Sequence, residues 1–151
     1  MSPEGSSLAF RRVPEDLNRR VLEQFAQKLA TRVAAGGAFD CLITTDSELR
    51  RLNRRFRGKD AVTDVLSFPA VESPESLSYL GDIAISWPRA RVQAREFGHA
   101  TEQEIALLML HGLLHLLGMD HETDGGRMAR AERYWRARLG LPNGLIERVR
   151  S

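Results

Sequence analysis

Cysteine, lysine and long apolar runs are scarce in this sequence. Cys41 is the only cysteine among 151 residues, which excludes a disulfide framework and a cluster of thiolate metal ligands. The longest apolar stretch, Ile105 to Met119, contains histidines and is shorter than the roughly 20 residues that span a bilayer. The first residues show no basic segment followed by an apolar one, so no secretion signal is expected. These absences predict a protein of the reducing cytoplasm that has no membrane partner.

The cationic residues are almost all arginines. Of 22 lysine and arginine residues only Lys28 and Lys59 are lysines, which leaves 20 arginines. Arginine suits phosphate recognition, although a genome rich in arginine codons explains the same bias. The formal net charge of +2 is too small to indicate a polyanionic partner by itself. The content of 42% hydrophobic and 28% charged residues is typical of a globular protein, and the length predicts a single domain over residues 1–151.

Hydrophobic periodicity and turn residues divide the chain into short strands and helices. Pro14, Thr45 and the pair Thr101 and Glu104 are expected at helix starts, and Gly118 is expected to end the central apolar helix. The apolar face of the first helix is predicted to comprise Leu17, Val21, Phe25 and Leu29. The predicted fold class is α+β, a small mixed sheet of about four strands packed with about five helices. The expected strands are 7–13, 39–45, 61–70 and 81–87, and the expected helices are 14–35, 45–58, 88–98, 102–117 and 124–139.

Three of the four histidines lie within eleven positions, at His111, His115 and His121. Two histidines four apart on a helix have Cβ atoms about 5–6 Å apart, so both rings can reach one ion. Gly118 lets the chain turn back, which would bring His121 toward the same ion. Three neutral nitrogen ligands suit zinc and leave a fourth position for water, as in catalytic sites. We therefore predict a Zn²⁺ site, one ion per chain, at the C-terminal end of the central helix. The fourth histidine, His99, is expected to be an ordinary surface residue.

This histidine pattern is close to that of the metzincin peptidases, with one difference. Those enzymes carry a glutamate directly after the first histidine, which serves as the general base. Here that position is Gly112. Without a carboxylate beside the water, peptide hydrolysis by that route lacks its proton acceptor. A metallopeptidase is accordingly the less favoured interpretation.

Three motifs together resemble the YbeY family of bacterial ribosomal-RNA maturation endoribonucleases. They are HGLLHLLGMDHE at residues 111–122, GDIAIS at 81–86 and RGKDAVTDVLSFP at 57–69, and they cover about the middle half of the chain. Met119 departs from the family, in which an aromatic residue is frequent there. Because Met119 is not a ligand, the departure leaves the predicted site intact.

The resemblance implies a function and assigns residues to it. It implies a zinc-dependent, single-strand-specific endoribonuclease that acts in 3′-end maturation of small-subunit ribosomal RNA and in ribosome quality control. It places the metal ligands at His111, His115 and His121 and the functional arginine at Arg57. It also implies RNA and the small ribosomal subunit as partners, and a four-stranded α+β fold. On local sequence alone, Arg57 would be a solvated charge at a helix end.

Further residues near the motifs carry weaker signals. Lys59 is a candidate substrate-binding residue because it lies two positions from Arg57. The pairs Arg50-Arg51 and Arg54-Arg55 could contact a phosphate backbone, but helical phase scatters them and most of that run is expected to be a solvated face. Four acidic residues could orient a ligating imidazole, or could instead be turn and capping residues: Asp64, Asp120, Glu122 and Asp124.

The sequence leaves two matters of function open. The nucleophile could be a zinc-bound water or the 2′-hydroxyl of the RNA. A second class of function is a non-catalytic ribosome-assembly factor whose zinc only stabilises the fold. Oligomeric state, cleavage site and general base are not indicated by any motif.

Overall fold

Four strands form one mixed sheet in the part of the chain that this computed structural model describes, residues 7–70, 79–120 and 122–142. In chain order the strands are β1 (Ser7–Phe10), β2 (Ala38–Thr44), β3 (Val65–Pro69) and β4 (Tyr79–Ser86). Their spatial order is β1-β2-β4-β3. β1, β2 and β4 are parallel, and β3 runs antiparallel to β4. The predicted mixed sheet is confirmed, with β1 and β3 at its edges.

The described residues also form five α-helices, so the α+β prediction is confirmed. None of these helices is long and apolar enough to cross a membrane. The first, α1, continues into a π-helical segment at Leu29–Val33. The five helices are α1 (Arg19–Lys28), α2 (Asp46–Arg57), α3 (Trp87–Phe97), α4 (Thr101–Leu116) and α5 (Arg127–Arg138).

α4 is the central core helix. Every residue from Ile105 to Leu114 is buried, because the sheet, α1, α3 and α5 all pack against this helix. Since side chains alternate between the two faces of a strand, every second residue of β2 and β4 belongs to the main core, which lies on the α4 side of the sheet. α2 covers part of the opposite face over a small cluster of Leu49, Leu66 and Ala84. The main core residues of the central strands are Phe39, Cys41, Ile43, Ile83 and Ile85.

The predicted start of the first helix is wrong by a few residues, and its predicted apolar face is right at Phe25 and Leu29 but wrong at Val21. Pro14 accepts a turn hydrogen bond from the Leu17 backbone N–H, and the helix begins only at Arg19. Its cap is Asn18, whose side chain accepts from the Val21 backbone N–H. Val21 itself is 45% exposed, whereas Leu22 is fully buried. A strict four-residue repeat drifts by roughly 40° at each step of a 3.6-residue helix, so it includes Val21 and passes over Leu22.

The third strand is shorter than the predicted stretch 61–70. Asn53 of α2 is buried, and its side-chain amide donates to the Ala61 carbonyl. The Lys59 backbone N–H in turn donates to the Asn53 carbonyl. These bonds hold residues 58–61 against α2, and the ladder with β4 begins only at Val65. The predicted cap at Thr45 is confirmed, since its hydroxyl accepts from the Glu48 N–H.

The start of α4 differs from the predicted capping box. Thr101 is the first helical residue, and Gln103 rather than Glu104 accepts a bond from the Ala100 backbone N–H. Glu104 turns inward, where its carboxylate lies 2.6 Å from His99 Nε2. His99 has only 8% of its side chain exposed, so the prediction of an ordinary surface histidine is wrong. A buried carboxylate needs a polar partner, and His99 supplies it.

Gly112 lies where α4 comes closest to the sheet. A Cβ atom at this position would stand 2.9 Å from Ile83 Cγ2 and 3.1 Å from Ser67 Oγ. Ser67 also donates a buried hydrogen bond to the Gly112 carbonyl, at 3.0 Å. The glycine therefore permits a close approach of helix and sheet. A glutamate at this position would clash with the sheet.

We predict that Gly112→Ala lowers the free energy of unfolding by about 1–3 kcal/mol, because the added methyl group overpacks the contact between helix and sheet. Urea denaturation measures the loss. Combining it with Ile83→Ala, which removes the opposing methyl group, should give a double variant more stable than the sum of the single effects implies. Strict additivity of the two changes would contradict this account of the glycine.

Candidate active site

A cavity of about 300 Å³ opens between α4, β3 and the C-terminal end of α2. It brings together Arg57, His111 and His115, which the sequence predicts as functional residues. Lys59 is not among its lining residues and is exposed. His121 lies outside the described residues. The full lining consists of Arg57, Asp64, Val65, Ser67, Pro69, His111 and His115.

The two histidines reach the cavity from successive turns of α4. Their ring centroids lie 4.9 Å apart, and the ring planes are inclined at 73°. His111 is 9% exposed and belongs to the core side of the helix, while His115 is half-buried. The predicted placement of two imidazoles on one helix face is thus observed. α4 can hold them rigidly, because its other faces are packed into the core.

Glu132 of α5 holds the ring of His111. Its Oε2 lies 2.9 Å from His111 Nδ1, and Glu132 is only 1% exposed. Because Nδ1 is engaged in this contact, His111 could bind a metal ion only through Nε2. A carboxylate that orients the remote nitrogen of a ligating histidine is a recurrent feature of metal sites.

The sequence predictions missed Glu132. They suggested four other acidic residues, and none of these is the observed partner of His111 Nδ1. The available signal was an acidic residue on an apolar helix face, since Glu132 shares the buried side of α5 with Met128 and Ala129. Burying an unpaired carboxylate costs free energy, so a polar partner for Glu132 in the core was to be expected.

Two of the four suggested acidic residues are turn residues. Asp124 accepts bonds from the backbone N–H groups of Gly126 and Met128, and so caps the start of α5. Asp120 accepts from the Glu122 N–H within the same loop. A third, Asp64, does line the cavity, and its carboxylate accepts a bond from the side-chain amide of Gln93 on α3.

Arg57 is fixed at the end of α2. Gly58 ends the helix in the left-handed region, with φ of 69°. The guanidinium donates to the Ser67 carbonyl at 2.7 Å and lies 5.9 Å from the centroid of the Phe68 ring. Since Ser67 also binds Gly112, β3 links the arginine to the helix that carries the histidines. Arg57 is exposed, but its guanidinium is anchored by these contacts.

The donor chemistry of the cavity fits a divalent cation. His111 and His115 offer imidazole nitrogens from one helix face, and Asp64 adds a carboxylate to the lining. Zinc favours nitrogen and carboxylate ligands of this kind. The described residues hold no group of three or more potential ligands, and the third predicted ligand, His121, falls outside them.

Comparison with known proteins bears directly on this cavity. The family model described as Endoribonuclease YbeY matches residues 8–140. The chain belongs to the endoribonuclease YbeY family. The matched range includes Arg57, His111 and His115, together with the three motifs on which the resemblance rests. The prediction of the family is confirmed.

Individual relatives agree with this membership. A protein of Solibacter usitatus named Endoribonuclease YbeY is 65% identical over 150 residues, which are 99% of each chain. A protein of Koribacter versatilis that is also named Endoribonuclease YbeY is 50% identical over 133 residues, which are 85% of each chain. A solution structure of a Thermotoga maritima protein superposes with a TM-score of 0.59 at 28% identity, covering 87% of this chain and 85% of that one.

We predict that Glu132→Ala lowers the free energy of unfolding by about 1–3 kcal/mol, because it leaves a buried polar atom of His111 without this bond. The matched control is Arg133→Ala, the next residue of α5, which is exposed. Urea denaturation in the presence of a chelator separates the effect from metal binding. Equal urea midpoints for Glu132→Ala and Arg133→Ala would show that the contact between Glu132 and His111 adds nothing to the free energy of unfolding.

Proposed function

We propose that this chain is a zinc-dependent, single-strand-specific endoribonuclease that acts in 3′-end maturation of small-subunit ribosomal RNA and in ribosome quality control. Its membership of the endoribonuclease YbeY family makes it an enzyme that hydrolyses RNA. The observation that carries the proposal is the single cavity lined by Arg57, His111 and His115. We assign Arg57 as the catalytic residue and His111, His115 and His121 as the metal ligands.

The proposed chemistry divides between the metal and the arginine. A bound zinc ion would supply Lewis-acid charge and lower the pKa of a bound water to about 7. Arg57 would stabilise the negative charge that develops on the phosphate oxygens, because a guanidinium fork can donate two hydrogen bonds to them. Its bond to the Ser67 carbonyl and its contact with Phe68 orient it before the substrate binds. Glu132 would keep His111 in the tautomer that ligates through Nε2.

Three further parts of the proposal concern context. The small ribosomal subunit is proposed as the partner that presents the RNA. Residues 1–151 are proposed to act as one domain, with both core clusters packed on a single sheet. A cytoplasmic location is proposed as well. It fits a single thiol, Cys41, which lies in the core and whose pKa is raised by burial.

The packing of Gly112 adds a reason to disfavour peptide hydrolysis. The backbone at this position faces Ile83 and Ser67, so the general base of the metzincin peptidases could not be placed there. Incubation of the zinc-loaded protein with a peptide library tests that alternative. Cleavage of peptides without cleavage of RNA would replace the proposed function.

We predict that Arg57→Gln reduces RNA cleavage by about 100- to 1000-fold, as expected when one donor to a developing oxyanion is removed. Zinc content and thermal stability should stay at the wild-type level. Arg55→Gln is the matched control, with the same change on the same helix outside the cavity. A raised KM is the largest effect expected of Lys59→Gln, because Lys59 does not line the cavity.

The same experiment decides between an enzyme and a non-catalytic assembly factor. If highly purified, zinc-loaded protein leaves single-stranded RNA intact, and the Arg57→Gln variant supports ribosome assembly as wild type does, the catalytic proposal fails. Loss of cleavage in Arg57→Gln with an unchanged zinc content supports it. The assay should include an RNA with a defined 3′ extension, since the proposal concerns 3′-end maturation.

We predict that His115→Ala loses most of its bound zinc, because it removes one of three proposed ligands. Metal analysis of the purified variant beside the wild type measures this loss. Gln93→Ala is a suitable control, because it removes a partner of Asp64 and leaves the histidines in place. Full zinc occupancy in His115→Ala would contradict the proposed ligand set.

A further inference from the structure

Three arginines of α2 lie along one line that ends in the active cavity. Arg50, Arg54 and Arg57 are spaced by four and three residues, so consecutive Cβ atoms are about 5–6 Å apart. The line is about 10 Å long at 1.5 Å per residue. Arg55, by contrast, points to another side of the helix, where its guanidinium lies 5.2 Å from the centroid of the Phe56 ring.

A surface groove of about 520 Å³ follows this line. We call it the basic groove. Its lining is close in the chain to that of the active cavity, since Arg54 precedes Arg57 by one helical turn and Val62 precedes Asp64 by two residues. A nucleic-acid strand lying in the groove would therefore lead into the cavity. The groove is lined by Asp46, Ser47, Arg50, Arg51, Arg54 and Val62.

Within the basic groove the arginine charges are not equally compensated. Arg50 donates to both carboxylate oxygens of Asp60, at 2.6 and 3.1 Å. Arg51 is paired with Glu48 at 2.5 Å. Arg54 forms no ion pair within the residues that the structure describes. Asp46, the acidic residue of the lining, has an ion-pair partner in Arg89 at 3.9 Å, so the excess positive charge of the groove is concentrated at Arg54.

The acidic neighbours show how closely these charges act on one another. A hydrogen bond from Arg50 is the main cause that lowers the pKa of Asp60, and the charge of Arg54 lowers it further. Asp60 is thus held ionised beside the groove. It compensates Arg50 and weakens the field of Arg54 at the same time.

We propose that the basic groove binds the sugar–phosphate backbone of single-stranded RNA and directs it into the active cavity, with Arg54 as the principal phosphate contact. This rests on the proposed function and names the surface by which the same site receives its substrate. None of the six lining residues is aromatic, so the groove lacks a platform for base stacking. Recognition here would be insensitive to base sequence and sensitive to salt.

The test measures binding separately from cleavage. Fluorescence anisotropy is recorded with 2′-O-methyl oligonucleotides of about 4 and about 16 nucleotides, checked for integrity on a denaturing gel. For the longer strand, Arg54→Gln should weaken binding about three- to tenfold and lower the slope of log K against log salt by about 0.7. Arg55→Gln removes the same charge from the same helix and should change neither quantity.

A second variant tests the role of the acidic neighbour. Asp60→Asn removes the charge that compensates Arg50, so it should strengthen binding of the longer strand and steepen its salt dependence. Because Asp60 and Arg54 are exposed, neither substitution is expected to disturb folding, and circular dichroism checks this.

Two results would overturn the groove proposal. One is equal binding by Arg54→Gln and Arg55→Gln. The other is an equal loss for the short and the long strand, which would place the contact of Arg54 inside the cavity. In either case cleavage by the wild type and its loss in Arg57→Gln would leave the proposed function standing. Absence of cleavage, with the groove results as expected, would instead identify an RNA-binding protein without this catalytic activity.

Discussion

The close approach of α4 to the sheet is the constraint on which the rest of the site depends. At Gly112 the helix backbone lies so near β3 and β4 that a single added carbon atom would touch both Ile83 and Ser67. His111 is the preceding residue, so the depth of this contact sets how far its imidazole projects above β3. The hydroxyl of Ser67 binds the Gly112 carbonyl, while its own carbonyl binds Arg57. One serine of an edge strand therefore joins the helix of the histidines to the helix of the arginine.

Much of this arrangement could be predicted from the sequence, because the signals were local. The α+β class, the strand GDIAIS and the pair His111 and His115 follow from periodicity, turn residues and helical spacing. The left-handed glycine after α4 is also confirmed, with φ of 92° at Gly118. Each of these features is determined within a few residues of the chain, where propensity and phase are strong guides.

The features that escaped prediction are polar contacts made by the buried side chains of Asn53, Glu104 and Glu132. Glu132 contacts His111, which lies 21 positions earlier in the chain. The side-chain amide of Asn53 donates to the carbonyl of Ala61, a residue that was expected to lie in a strand. His99 is buried because Glu104 turns inward in place of capping α4. In each case a polar side chain finds a partner that one-dimensional patterns do not indicate. Tertiary packing then overrides the local preference for a cap, a strand or a surface position.

The contact between Glu132 and His111 has a consequence for how this protein can change in evolution. α5 must present one particular side to α4, and each residue added to or removed from α5 ahead of Glu132 would rotate that carboxylate by about 100° around the helix axis. Such a rotation would carry Glu132 away from the imidazole. The part of α5 that precedes Glu132 is thus restricted in length, although Arg127 and Arg130 within it are exposed. Insertions in related chains are expected to avoid it, and replacement of either partner of the buried pair is expected to accompany replacement of the other.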